Sequence, residues 1–118
     1  NIKSDYYKGK ILRKNQRKFL KNDATAEAYI TAINSIKSSY EKSKALRKAL
    51  EGNLPSNLMT KVLDASMNID SDYEKKVLLQ VGRLIPNNNT KLKDQFAKAA
   101  RSISSDHTYG KVMRSLNR

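Results

Sequence analysis

Cysteine and tryptophan are absent from the 118 residues, and histidine occurs once. Without thiols there are no disulfides, thiolate nucleophiles or thiolate metal sites, and the redox compartment stays open. One histidine leaves transition-metal chemistry almost without ligands and denies His107 a second His or a Cys for a catalytic dyad. The four glycines, Gly52 and Gly82 among them, form neither common phosphate-binding loop. No apolar run approaches the roughly 18 to 20 residues of a membrane span, and the first residues lack the charged-then-apolar pattern of a signal peptide. Because the chain starts at Asn1 rather than Met, a processed product or a piece of a longer protein is expected.

What is abundant is positive charge. Lys and Arg number 24 against 11 Asp and Glu, a net charge of +13 with a pI near 10.0 and a mean hydropathy of -0.73. Such a field attracts polyanions and is screened by salt, which names nucleic acid, anionic membrane and acidic protein as partner classes. Apolar residues make up 38% and are spread along the whole chain, whose length suits one domain with a single modest core.

An internal repeat organises that chain. The stretches IKSDYYKGKIL from Ile2, IKSSYEKSKAL from Ile36, IDSDYEKKVLL from Ile69 and ISSDHTYGKVM from Ile103 align at spacings of 34, 33 and 34. One column holds Ser4, Ser38, Ser71 and Ser105, and another Tyr6, Tyr40, Tyr73 and His107. The apolar pairs Ile11/Leu12, Ala45/Leu46, Leu78/Leu79 and Val112/Met113 follow in phase. Further along each unit Asp23, Ser56 and Thr90 align, then Tyr29, Val62 and Phe96, then Ala32, Ala65 and Ala99.

Helix signals fall at fixed places in each unit. Ser38-Ser39-Tyr40-Glu41 and Ser71-Asp72-Tyr73-Glu74 read as capping boxes, with the serine accepting from the third amide and the glutamate reaching back to the cap amide. Turn signals follow at Gly52-Asn53-Leu54-Pro55 and Pro86-Asn87-Asn88-Asn89. Asp23, Ser56 and Thr90 are then expected to cap a second helix. The sequon-like Asn88-Asn89-Thr90 reads as loop plus cap. Helices are predicted at 4–20, 24–34, 38–51, 57–67, 72–85, 91–102 and 106–117, and no stretch alternates like a strand. The expected fold is all-α: a right-handed α-solenoid of about three and a half helix-turn-helix repeats of 33–34 residues. The single domain 1–118 divides into repeats 1–34, 35–67, 68–101 and a partial 102–118.

Over the whole chain this period and unit resemble the tetratricopeptide and HEAT classes of helical repeat. The tetratricopeptide Trp-x-x-Leu-Gly-x-x-Tyr run is missing. The SDYEK phrase followed by apolar residues is similar to repeats of uncharacterised bacterial proteins, some beside membrane-bound sensors or peptidases. That likeness implies a bacterial, extracytoplasmic interaction domain and brings no catalytic or binding residue with it.

Asp70, Asp72 and Glu74 have the spacing of the first ligands of a calcium loop, but such a loop needs Gly and Glu where Lys75 and Val81 stand. Acidic residues in a first helical turn that complement the helix dipole explain them better. The tyrosine column is expected to pack between units with its hydroxyls reaching solvent, rather than to stack bases. Basic residues remain as candidates for function. Lys10, Arg13, Lys14, Arg17, Lys18 and Lys21 form one cationic stripe, and stacking would align Lys44, Arg47, Lys48, Lys111 and Arg114 beside it. The candidate partner-binding surface is Lys10, Arg13, Lys14, Arg17, Lys18, Lys44, Arg47, Lys48, Lys111 and Arg114.

These features point to a non-enzymatic scaffold that binds an acidic protein. The alternative is a polyanion-binding module for nucleic acid or anionic membrane lipid. No catalytic residue, cofactor, metal or small-molecule substrate is expected. A neighbouring domain or a second copy is expected to cover one end, where Met113 and Leu116 otherwise meet solvent.

Overall fold

Each of the seven predicted helices is present in the computed structural model, which describes residues 2–116 apart from the side chain of Ile2. Residue 117 of the last predicted helix lies outside the described residues. The chain runs through α1 (Ile2–Lys14), α2 (Gln16–Phe19), α3 (Asp23–Asn34), α4 (Ser39–Leu50) and α5 (Ser56–Met67). A 3₁₀ turn (Glu74–Lys76) then leads into α6 (Val77–Leu84), followed by α7 (Thr90–Ala100) and α8 (Asp106–Leu116). Among the described residues there is no strand, so the chain is all-α.

Two layers form because each helix has one apolar face. In one layer α1 packs on α4, α4 on α6 and α6 on α8; in the other α3 packs on α5 and α5 on α7. Sequence neighbours α3 and α4, α5 and α6, and α7 and α8 join the layers. The extents of 34 × 29 × 17 Å fit this arrangement, because the shortest holds only two helices at about 8–10 Å between axes. Tyr29, Val62 and Phe96, one per second-layer helix, are 2%, 0% and 0% exposed between the layers. From the first layer Leu12, Leu46, Leu78 and Val112 meet them in the same core.

The isoleucine that opens each repeated stretch after the first ends the helix before it. Ile36, Ile69 and Ile103 are buried, and their amides donate to Ile33 O, Ser66 O and Ala100 O at 3.0, 3.2 and 3.0 Å. Burying each such side chain contributes about 1.5–3 kcal/mol, enough to fix where a helix stops.

Four local expectations are corrected. The second-layer caps lie one residue early: Asn22 accepts from Thr25 N and Asn89 from Leu92 N, while Asp23, Ser56 and Thr90 are first helical residues. Pro55 holds the cap position of α5 and offers no side-chain acceptor. The predicted helix 4–20 breaks at Asn15, which leaves helical geometry at φ -106° and ψ 15° while its side-chain amide and its backbone N–H both donate to Ile11 O, at 2.9 and 3.2 Å. Tyr6, Tyr40 and Tyr73 are 42%, 52% and 67% exposed rather than packed between units, because their column points away from both neighbouring helices.

The capping boxes, finally, are only half formed. Ser38 Oγ and Ser71 Oγ accept from Glu41 N and Glu74 N as expected, and Ser105 Oγ accepts from Thr108 N in the same way. The reciprocal half is supplied from the preceding unit. Asp5 Oδ2 accepts from Lys37 N and Ser38 N at 3.1 and 2.8 Å, and Asp72 Oδ2 accepts from Ser104 N and Ser105 N at 3.1 and 2.9 Å. Ser39 occupies that column in the second unit, and there the next helix begins through the 3₁₀ turn instead.

Candidate functional site

A basic concavity lies at the break at Asn15. The cleft has a volume of about 390 Å³ and is lined by Arg13, Lys14, Arg17, Lys18 and Lys48, together with Asn15 and Gln16. Gln16 is buried and its amide donates to Lys48 O at 3.4 Å, which ties α2 to the end of α4. Lys14, Arg17 and Lys18 are exposed and make no ion pair with any described residue.

Two acids border this group. Glu41, 7% exposed, accepts from Arg13 Nη1 at 3.2 Å, and Glu51 accepts from Lys48 Nζ at 3.2 Å. The Arg13 pair is sheltered and orients its guanidinium along α1, whereas the exposed Lys48 pair contributes roughly 0–1 kcal/mol and is easily exchanged for another anion. Five cations against two acids leave the cleft strongly positive.

Half of the ten candidate residues therefore come together at the cleft, and the others are distributed. Lys10 is exposed on α1 outside it. Lys44 lies over the Tyr40 ring with its Nζ 5.2 Å from the centroid. Arg47 is half-buried and its Nε is enclosed without a hydrogen-bond partner. Lys111 and Arg114 line a second basic concavity of about 380 Å³ between α6 and α8 with Arg83. Sequence periodicity missed Arg83, because its column holds no sister base, and missed Gln16, whose only signal is a polar residue at a buried spacing.

The carboxylates of the third unit do not gather. Asp72 is turned toward the Ser104–Ser105 turn, Glu74 is buried, and Asp70 is exposed. Among the described residues no three His, Asp or Glu side chains approach closely enough to hold a metal ion. Burial lowers the pKa of Lys42, with the Asp70 charge opposing that shift in part. Its column mates Lys8 and Lys75 reach across to Ser35 Oγ at 3.1 Å and Ser102 O at 3.0 Å. Lys8 and Lys75 are structural ties between helix ends, and Lys42 is buried in the same column.

Exposed tyrosines form a third feature on the same layer. Lys76 Nζ sits 3.7 Å from the Tyr73 ring centroid, repeating the Lys44–Tyr40 arrangement one helix further on. Tyr73 and His107 also flank a groove with Lys76 and Lys111. Compared with known families, curated proteins and solved structures, the chain matches none.

Proposed function

We propose that this chain is a right-handed α-solenoid of about three and a half units that acts as a non-enzymatic interaction module, gripping an acidic protein segment in the α1–α2 cleft. The unit count is supported by hydrogen bonds that recur about one repeat apart, from Asp5 to Ser38, Gln16 to Lys48, Asn89 to Ser56 and Asp72 to Ser105. The observation that carries the function is the convergence of Arg13, Lys14, Arg17, Lys18 and Lys48 on one concave surface. Arg offers paired donors to a carboxylate and Lys a mobile point charge, so the set suits a run of Asp or Glu side chains.

Titration with a glutamate-rich helical peptide tests this. Binding is expected to weaken at least tenfold in the Arg17→Glu/Lys18→Glu variant and to fall with salt. Equal affinity of variant and wild type overturns it.

A second reading has its own support in the exposed pairs Tyr40–Lys44 and Tyr73–Lys76. Aromatic faces beside cations suit single-stranded nucleic acid, where stacking contributes about 1–3 kcal/mol per base. A single-stranded oligonucleotide that binds more tightly than the acidic peptide, and loses affinity in Tyr40→Ala and Tyr73→Ala, would replace the first reading.

A further inference from the structure

The first-layer row ends on α8, which carries at matching positions three of the four residue types with which α1 receives α4, and Met in place of Leu. On α1 these are Asp5, Gly9, Leu12 and Arg13. Asp5 Oδ2 takes the amides of Lys37 and Ser38, Arg13 Nη1 donates to the Glu41 carboxylate at 3.2 Å, and Leu12 is buried beside them. Gly9 leaves the space in which that ion pair lies, since a Cβ there would stand 3.0 Å from Arg13 Nη1 and 3.1 Å from Glu41 Oε1.

On α8 the matching positions hold Asp106, Gly110, Met113 and Arg114, at the same i, i+4, i+7, i+8 spacing. The guanidinium is folded back in the same way: Arg114 Nη1 lies 3.1 Å from the place of a Cβ on Gly110. Asp72, the third member of the aspartate column, holds the turn ahead of α8 itself, so the device works at both junctions where an aspartate is followed by a further unit. Asp106 is exposed and makes no hydrogen bond or ion pair with any described residue, and Met113 is only partly covered.

We propose that this face of α8 is a docking site for a partner helix that opens Ile-x-Ser-x-x-Glu, as α4 does with Ile36, Ser38 and Glu41. Asp106 takes the two amides that precede and include the serine cap. Arg114 takes the third-position glutamate, Gly110 leaves room for that carboxylate, and Met113 supplies the apolar floor. The α1 of a second copy is the poorer occupant: in its stretch Ser4 is followed by Tyr7 where the glutamate belongs, and two chains of +13 repel. The site is separate from the α1–α2 cleft and does not rest on the function proposed for it.

The probe is a peptide of residues 35–51, held helical by a hydrocarbon link between positions 40 and 44, on the side away from α1. It is titrated into the ¹⁵N-labelled protein at about 150 mM salt, which screens the repulsion between two cationic molecules. Amide shifts are expected on α8, centred on Asp106 and Gly110. Asp106→Ala, Arg114→Ala and a peptide with Glu41→Gln should each weaken binding roughly tenfold, the scale of one charge-assisted hydrogen bond. A peptide with Glu41→Lys should regain affinity for the Arg114→Glu protein. The proposal is overturned if there are no shifts up to about 1 mM peptide, if the shifts centre on the Arg17–Lys18 cleft, or if the charge swap brings no recovery. Sedimentation that finds a self-association removed by Asp106→Ala would assign the face to a second copy instead. Loss of acidic-peptide binding in the cleft variant leaves these outcomes unchanged, so the two proposals fail separately.

Discussion

Replacing Asp5 with Ala should cost the protein several kcal/mol, because its carboxylate is a buried anchor for the turn ahead of α4. Asp5 is 7% exposed and its Oδ2 accepts from Lys37 N and Ser38 N at 3.1 and 2.8 Å. Bonds to a charged acceptor contribute about 1.5–3 kcal/mol each, and the two amides would be left in a half-buried turn, so roughly 2–4 kcal/mol is at stake after partial rehydration. At about 4 °C per kcal/mol for a domain of this size, Tm falls by roughly 10 °C. Asp5→Asn keeps one neutral acceptor and should lose about half as much. Ser39→Ala is the control, because Ser39 shares the aspartate column but bonds to no following turn, and it should shift stability by less than about 0.5 kcal/mol. Urea unfolding followed by circular dichroism at 222 nm measures all three, and hydrogen exchange at Lys37 and Ser38 should report loss of protection in Asp5→Ala alone. If Asp5→Ala matches wild type within about 0.5 kcal/mol, or matches Ser39→Ala, the inter-unit anchor is not a stabilising device.

Ser39→Asp should supply the missing anchor and raise stability by about 1 kcal/mol, less than a full charged hydrogen bond because Asp70 lies beside the same turn; an unchanged or lowered urea midpoint would refute it. Tyr29→Phe should stabilise by about 1 kcal/mol, since the Tyr29 hydroxyl is buried without a partner while the ring stacks on Phe19 at 5.3 Å. Burial pushes the Tyr29 pKa up to about 12, against the lowering influence of Arg13. The folded state therefore keeps a proton that the unfolded chain releases above pH 10, and wild type should lose at most about 2 kcal/mol relative to Tyr29→Phe between pH 10 and 12. Gly82→Ala should destabilise by about 1–3 kcal/mol, because a Cβ would strike Ser115 Oγ and approach the Phe96 ring at 3.0 Å, outweighing the roughly 1 kcal/mol of helix propensity it adds. Thermal melts read its sign directly.

Helix positions were legible in the sequence because the repeat sets four similar stretches side by side, so the Tyr29, Val62 and Phe96 core column and the closing Ile36, Ile69 and Ile103 could be read by alignment. Exposure of the tyrosines was not legible. A column shared by every unit can lie on a contact face or on the open ridge between contacts, and periodicity is the same for both. Ile11 makes the same point, being 58% exposed while its column mates Ala45, Leu78 and Val112 are fully buried, since among the described residues no helix covers that side of α1. At the basic surface, the stripe from Arg13 to Lys18 was visible but the cleft was not, because it lies where the backbone leaves helical geometry at Asn15. The aspartate column stood one place after the serines in plain view; its role emerges only when the next turn is seen to lie against it.

That aspartate contact gives the chain a polarity. The acceptor precedes its donors by 32 or 33 residues at both junctions, Asp5 before Lys37 and Ser38, Asp72 before Ser104 and Ser105. During synthesis each carboxylate leaves the ribosome before the turn it will hold, so a finished helix is the template on which the next one starts. Trimming from the two ends is then unequal in this one respect: loss of α1 takes an anchor from the start of α4, whereas loss of α8 takes Val112 from the core but no anchor from any earlier helix.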